Sequence, residues 1–288
     1  MKKQSKLALR AFTGLFVMAI QFAAISAQPA EEHVNDMLGK LPWQTGPGKA
    51  ALGDIATVAL LTTTAFLSEA SGSKFLEING NLPAPGRSIL MAGNWFAVFS
   101  FDASGYIKDD EKLDPDALLA SFKEAQEGAN EERAKRGLEK MHYDGWVVPP
   151  HYDSQTKYLE WGLRLHGDRS PEPIINYTVR MLGRTGYESV ILVSSPQMLE
   201  KNIADLKTSL KTFNFNSGEK YSEFRPGDHV AEFGLGALVL GGASAAAVKS
   251  GLWKTMLVAL AASWKLVAAA VVAGLAGIGK LFRRDKPK

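Results

Sequence analysis

Residues 157–194 run KYLEWGLRLHGDRSPEPIINYTVRMLGRTGYESVILVS, and their hydrophobic period is two. From Lys157 to His166, Leu159, Trp161, Leu163 and Leu165 point one way, and Tyr158, Glu160, Arg164 and His166 the other. Ile174–Leu182 and Tyr187–Ser194 continue as strands, joined by Gly183-Arg184-Thr185-Gly186, which reads as a hairpin turn. Upstream, Trp146–Val148 and Trp95–Phe101 predict further strands, the latter closing in a turn from Asp102 to Gly105. A parallel return needs a crossover of about a dozen residues, so strands joined this tightly must run antiparallel.

Two segments switch to the helical period. Asp114-Pro115 supplies an N-cap and a first-turn proline, and Gly137 a stop, which predicts a helix over Pro115–Arg136 with Leu118, Phe122, Ala125 and Ala129 on one side. Ser195-Pro196 repeats the start signal, and Leu199, Ile203, Leu206, Leu210 and Phe213 then fall on one face. The expected fold class is α+β: an antiparallel sheet of about five to seven strands with two or more helices packed on it.

Outward from this core the charge divides unevenly. The chain has 288 residues, 33 basic and 30 acidic, and no cysteine, so disulfides, thiolate nucleophiles and cysteine-ligated zinc are excluded. Residues 1–27 carry four basic groups and no acid; residues 231–288 carry eight basic and two acidic; residues 28–230 hold the remaining 21 basic and 28 acidic, a net −7. A nucleic-acid binder would need its basic patch on the folded domain, so that class is disfavoured.

Lys2, Lys3, Lys6 and Arg10 before the apolar run Ala11–Ile25 and the small residues Ser26 and Ala27 read as a signal peptide over 1–27. The alternative is an uncleaved N-terminal anchor. Residues 28–230 then form an exported domain and 231–288 a membrane anchor of one or two apolar helices. Thr255–Gly279, interrupted only by Lys265, is the favoured transmembrane helix; 231–248 is read as a packed or re-entrant helix. The tail Lys280, Arg283, Arg284, Lys286 and Lys288 faces the cytoplasm by the positive-inside tendency. The expected location is the bacterial inner membrane, with the main domain periplasmic and the lipid bilayer as partner. Small residues four apart (Ala237, Gly241, Ala245; Ala273, Gly277) allow helix pairing and hence a homo-oligomer.

Catalytic signatures are sparse. Neither G-x-S-x-G nor H-E-x-x-H occurs, and Gly46-Pro47-Gly48-Lys49 fails as a phosphate loop because Trp43 and Ala50 occupy its first glycine and hydroxyl positions. The acidic run Asp109, Asp110, Glu111, Asp114, Asp116 offers oxygen ligands for a hard cation, with Asp109, Asp110 and Asp114 as weak metal candidates; its spacing is not that of a Ca²⁺ loop, and capping plus dipole compensation is the better reading. His151-Tyr152-Asp153, after Pro149-Pro150, gathers residue types of general-base chemistry, and Glu160 lies one strand on. His151, Asp153 and Glu160 are therefore weak catalytic candidates, with no nucleophile placed by the sequence. No cofactor is indicated.

The ordered words Leu41-Pro42-Trp43, Leu52-Gly53-Asp54-Ile55-Ala56, Gly105-Tyr106-Ile107-Lys108-Asp109-Asp110, Ala129-Asn130-Glu131-Glu132-Arg133, Gly145-Trp146, Pro149-Pro150-His151-Tyr152-Asp153, Leu159-Glu160-Trp161, Asn176-Tyr177, Leu182-Gly183-Arg184, and Gly218 with Tyr221 add up to a resemblance over about residues 38–248. The chain resembles the bacterial family of membrane-anchored proteins known as domain of unknown function 2167. Residues 61–92 depart from the family pattern, with Leu61-Thr62-Thr63-Thr64 where a Pro-Gly-Phe segment is usual. The resemblance implies membrane anchoring and no particular activity. The strand order followed by a late helix, Phe213 and Phe215 also looks like the layout of PsbP-like domains, and fold alone does not give function. The expectation is a non-enzymatic interaction or envelope-maintenance module with an envelope protein partner. The alternatives are an envelope hydrolase using His151, Asp153 and Glu160, and a pore or transporter-subunit role suggested by Lys265.

Overall fold

The computed structural model describes residues 36–241, except Gly80, Leu82, Pro83, Asn94 and Pro171. The signal segment 1–27, the span 255–279 with Lys265, and the basic tail lie outside the described residues. Among those described, no helix is long and apolar enough to cross a membrane.

The strands are β1 (Gln44–Thr45), β2 (Gly48–Leu52), β3 (Ala56–Leu60), β4 (Ala65–Leu67), β5 (Ser88–Ala92), β6 (Trp95–Asp102), β7 (Met141–Asp153), β8 (Tyr158–Gly167), β9 (Ile174–Leu182), β10 (Tyr187–Ser194) and β11 (Asn214–Phe215). The helices are α1 (Glu69–Ile78), α2 (Pro115–Lys135), α3 (Leu199–Leu210) and α4 (Leu235–Val239). An 8-stranded antiparallel sheet takes the order β1-β4-β5-β6-β10-β9-β8-β7, and a 3-stranded sheet the order β11-β3-β2. The fold class is α+β, with more strands than the five to seven expected.

The three strands β8, β9 and β10 sit side by side, as their period and short turns require. Leu182 pairs with Tyr187 across the Gly183–Gly186 turn, whose first amide donates to the Gly186 carbonyl at 2.8 Å. The short strand read at Trp146–Val148 is the middle of a much longer one, β7, which bulges repeatedly against β8 and carries His151, Tyr152 and Asp153. Residues 61–92, where the family words lapse, form β4, α1 and β5.

Both signalled helices are present. Asp114 accepts from the amides of Asp116 and Ala117, each at 3.1 Å, and caps α2. Gly137, at φ +67°, ends it: its amide returns to Ala134 and that of Leu138 to Arg133, the closure an L-residue would strain to make. After Ser195 the chain makes a single 3₁₀ turn, Pro196–Met198, before α3 begins.

Each face of the large sheet has its own cover. On one face Trp95, Ala97, Phe99, Tyr177, Val179, Met181, Val190 and Leu192 pack with the small sheet and with Leu206 and Leu210 of α3. The other face is shared. Phe75 and Leu76 of α1 cover Leu67, Ile89, Phe96 and Val98, whereas Leu118 and Phe122 of α2 cover Leu159, Trp161, Leu163 and Leu165. The second of these clusters also takes in Leu235, Leu238 and Val239 of α4. Tyr106 bridges Val230, with 2.8 Å bonds to the His229 carbonyl and from the Ala231 amide. The packed unit thus runs past the break read at 230, because the first apolar residues beyond it bury against the domain; the rest of 231–248 lies outside the described residues.

Candidate functional site

His151 and Glu160 are register partners on β7 and β8, and the structure brings them together with His151 Nε2 at 3.6 Å from Glu160 Oε2. Glu160 already has other partners. Its Oε2 accepts a very short hydrogen bond from the Tyr177 hydroxyl and one of 2.8 Å from Lys207 Nζ, reaching down from α3. Burial, then the bond to Glu160, raises the Tyr177 hydroxyl well above its ordinary range. The strand face that carries Glu160 is therefore covered by α3, not wet. His151 stays half exposed.

Asp153 turns away from this pair. It accepts from the Gln155 amide at 2.8 Å and the Thr156 hydroxyl at 2.9 Å, holding the turn between β7 and β8, and these bonds keep its carboxyl below the usual range. The expected trio is thus a pair and a turn former.

The acidic run disperses in the same way. Burial alone would raise the Asp109 carboxyl, but hydrogen bonds from Lys157, Tyr152 and Tyr221 bring it below its ordinary range; the Lys157 and Tyr152 contacts are 2.8 and 2.6 Å. Asp110 is exposed, Glu111 accepts from the Gly236 amide at 3.0 Å, and Asp114 caps α2. Among the described residues no three His, Asp or Glu side chains gather closely enough to hold a metal ion.

A different group of charges lies on the shared face outside the two apolar clusters that α1 and α2 cover. By the two-residue alternation, Arg87, Ser100, Ser189 and Arg180 lie on this face. Ser189 pairs laterally with both Ser100 and Arg180, and Arg87, one residue before the Ser88–Phe99 pair, falls opposite Ser100. Two arginines therefore flank a floor of two serines. The Arg180 guanidinium stands 5.0 Å from the Tyr187 ring centroid and 5.5 Å from that of Trp161, within cation–π range. Among the described residues Arg87 makes one hydrogen bond, to the Gly86 carbonyl at 3.5 Å. Burial, and then the charge of Arg180, lower the Arg87 pKa, while Tyr187, Asp102 and Glu188 oppose them.

Glu188 is the weakest of these neighbours on Arg87 and, paired with Phe101 and Met181, falls on the opposite face of β10 from Ser189. It is 1% exposed, its Oε2 has no hydrogen-bond partner among the described residues, and burial, followed by the charge of Glu69, pushes its pKa up to about 8. It is thus held largely as the neutral acid at pH 7, with the Arg87 and Arg180 charges working the other way.

Sequence reasoning missed this group. Arg87 falls in the segment without family words, and Arg180 and Ser189 read as ordinary strand residues. The available signal was an inward-facing arginine and serine in the middle of apolar strands.

In overall shape the chain is similar to cyanobacterial PsbP from Synechocystis sp. PCC 6803, at 10% identity and a TM-score of 0.37 over 60% of this chain and 92% of that one. It is also similar to the Saccharomyces cerevisiae Ran-binding protein Mog1p, at 9% identity and a TM-score of 0.32 over 63% of this chain and all of that one. No curated protein matches the chain in sequence. The family described as protein of unknown function (DUF2167) matches residues 44–275, spanning every strand and helix above, and the chain belongs to that family.

Proposed function

We propose that the chain is a membrane-tethered interaction module on the outer side of a bacterial inner membrane, with no catalytic step of its own. One observation carries this reading: Glu160, the buried carboxylate of the His151 set, is engaged by Tyr177 and Lys207, while Asp153 holds a turn. A general base needs a free lone pair aimed at a substrate proton, and these acids spend theirs on the fold. The signal-like start, the apolar segment 255–279 and its basic tail support the tether, and the net −7 of residues 28–230 supports a domain that stands clear of anionic lipid. The reading requires the bilayer and an envelope protein as partners, and the small residues after Leu235 provide for a homo-oligomer. Crosslinking in intact cells, followed by mass spectrometry of the captured neighbours, tests it. The expected result is a recurrent envelope protein crosslinked to the domain. Recovery of the chain alone, with a reporter enzyme fused near Gly218 active only in the cytosol, would refute it.

The 3.6 Å contact of His151 with Glu160 favours a second reading, an envelope hydrolase. Hydrolysis of a generic ester or amide probe that His151→Ala abolishes would replace the first reading by the second.

A further inference from the structure

Two guanidiniums on one sheet face, each with its own reason to be stable elsewhere, call for an explanation. Among the described residues neither Arg87 nor Arg180 has a carboxylate within ion-pairing distance, and the buried Nε of Arg180 has no hydrogen-bond acceptor. The acids that bear on Arg87 do so through space: Asp102 and Glu188 are near enough to act on its charge but make no ion pair with it. Half-buried like charges without a counter-ion cost stability unless something else supplies the negative charge. The residues between them are small and polar. Ser189, which is buried, and Ser100 put hydroxyls rather than apolar side chains between the two arginines, and the buried Thr178 adds a hydroxyl beside Trp161, its register partner. Gly72 of α1 packs so closely on the Arg87 carbonyl that any Cβ would collide with it, which fixes the backbone from which Arg87 projects.

We propose that Arg87 and Arg180, standing over the Ser100–Ser189 floor between α1 and α2, form a binding site for a phosphate dianion. Two positive charges match the charge of a phosphate monoester at neutral pH. Donors on two sides and hydroxyls beneath suit a tetrahedral group better than a single carboxylate, which one guanidinium fork would satisfy alone. The Trp161 and Tyr187 rings hold the Arg180 guanidinium in place while its edge nitrogens stay available. The site is separate from Glu160, which lies on the opposite face of the sheet, so it stands or falls independently of the tethered-module reading.

The test uses the full chain in neutral detergent at pH 7, with inorganic phosphate as the probe and sodium chloride at matched ionic strength as the reference. Phosphate should bind by calorimetry and raise the unfolding temperature. Arg87→Gln and Arg180→Gln should each weaken binding by about tenfold or more, the worth of one charge-assisted hydrogen bond. Without phosphate, Arg87→Gln should unfold no more easily than wild type, since it removes a repelling charge; this keeps a loss of binding distinct from a loss of fold. Vesicles of phosphatidylcholine with and without phosphatidic acid identify the source of the group. Capture that depends on phosphatidic acid and is competed by inorganic phosphate assigns a lipid headgroup, and its absence assigns a soluble phosphate. Phosphate that stabilises no more than chloride, or that binds both glutamine variants as it binds wild type, overturns the proposal.

Discussion

Replacing Glu188 by Gln should stabilise the protein, and the gain should grow with pH. The side chain is 1% exposed and its pKa is pushed from 4.5 up to about 8, chiefly by burial. A raised carboxyl pKa means that the folded state holds the proton more tightly than the unfolded state does. The favourable contribution is therefore fully present below pH 4.5 and is lost as pH rises towards 8. Taking each pKa unit as about 1.4 kcal/mol, the loss is under about 1 kcal/mol at pH 5, about 3 kcal/mol at pH 7 and about 5 kcal/mol once the folded state is also ionised. Gln keeps the shape and an oxygen for the Ser100 amide but does not titrate.

The advantage of Glu188→Gln over wild type should thus widen by about 2–3 kcal/mol between pH 5 and pH 7. In a domain of this size that corresponds to roughly 4–12 °C in unfolding temperature. Urea unfolding at constant ionic strength measures it, with the fluorescence of buried Trp95 and Trp161 as the signal. An advantage that is equal at pH 5 and pH 9, or that shrinks as pH rises, would refute the reasoning. It would mean that Arg87 and Arg180 hold Glu188 ionised and that burial has lost to their charges.

The remaining predictions concern the scaffold. Asp114→Ala leaves the Asp116 and Ala117 amides at the start of α2 without their acceptor and should cost about 1 kcal/mol in urea unfolding at pH 7. Leu206→Ala opens a cavity between α3 and the sheet, where Leu206 is fully buried, and should cost about 2–5 kcal/mol by the same measurement. Asp228 is gripped by Arg184 through two bonds of 2.7 and 2.6 Å, and this brings its pKa down to about 2. Its contribution is present above the ordinary carboxyl value of 3.8 and is lost as pH falls through about 2. Asp228→Asn should therefore be less stable than wild type from pH 5 to pH 8, with the gap closing in acid titrations monitored by circular dichroism.

The parts of this fold that were legible in the sequence are those whose signal is local. The alternation of Leu159, Trp161, Leu163 and Leu165 places one face of β8 under α2, and the Asp114-Pro115 and Gly137 signals bound that helix to within a residue. Elements whose signal is not local were missed. β1 and β11 have two residues each, β4 has three, and they exist because neighbours already in place supply their hydrogen bonds. α1 carries Gly72 and three serines at or near its start, a poor helix by propensity, and it forms because Phe75 and Leu76 bury against Leu67, Ile89 and Phe96.

The same distinction governs the charged residues. Closeness in sequence suggested His151 with Asp153, but Asp153, at the end of β7, is taken up by the Gln155 amide and the Thr156 hydroxyl of the turn, and the residue that meets His151 is the one across the ladder, Glu160. Arg87 and Arg180 lie far apart in the chain and share a sheet face only because β6 and β10 intervene, with a serine from each strand between them. The contrast between the two groups is electrostatic. Glu160 collects a hydroxyl and an ammonium and needs nothing further, whereas Arg87 and Arg180 act on one another as like charges with no ion-paired carboxylate among the described residues. A protein selected for stability alone would gain by replacing one arginine. Keeping both is physically reasonable if the missing negative charge arrives with a ligand, which is what the phosphate titration measures.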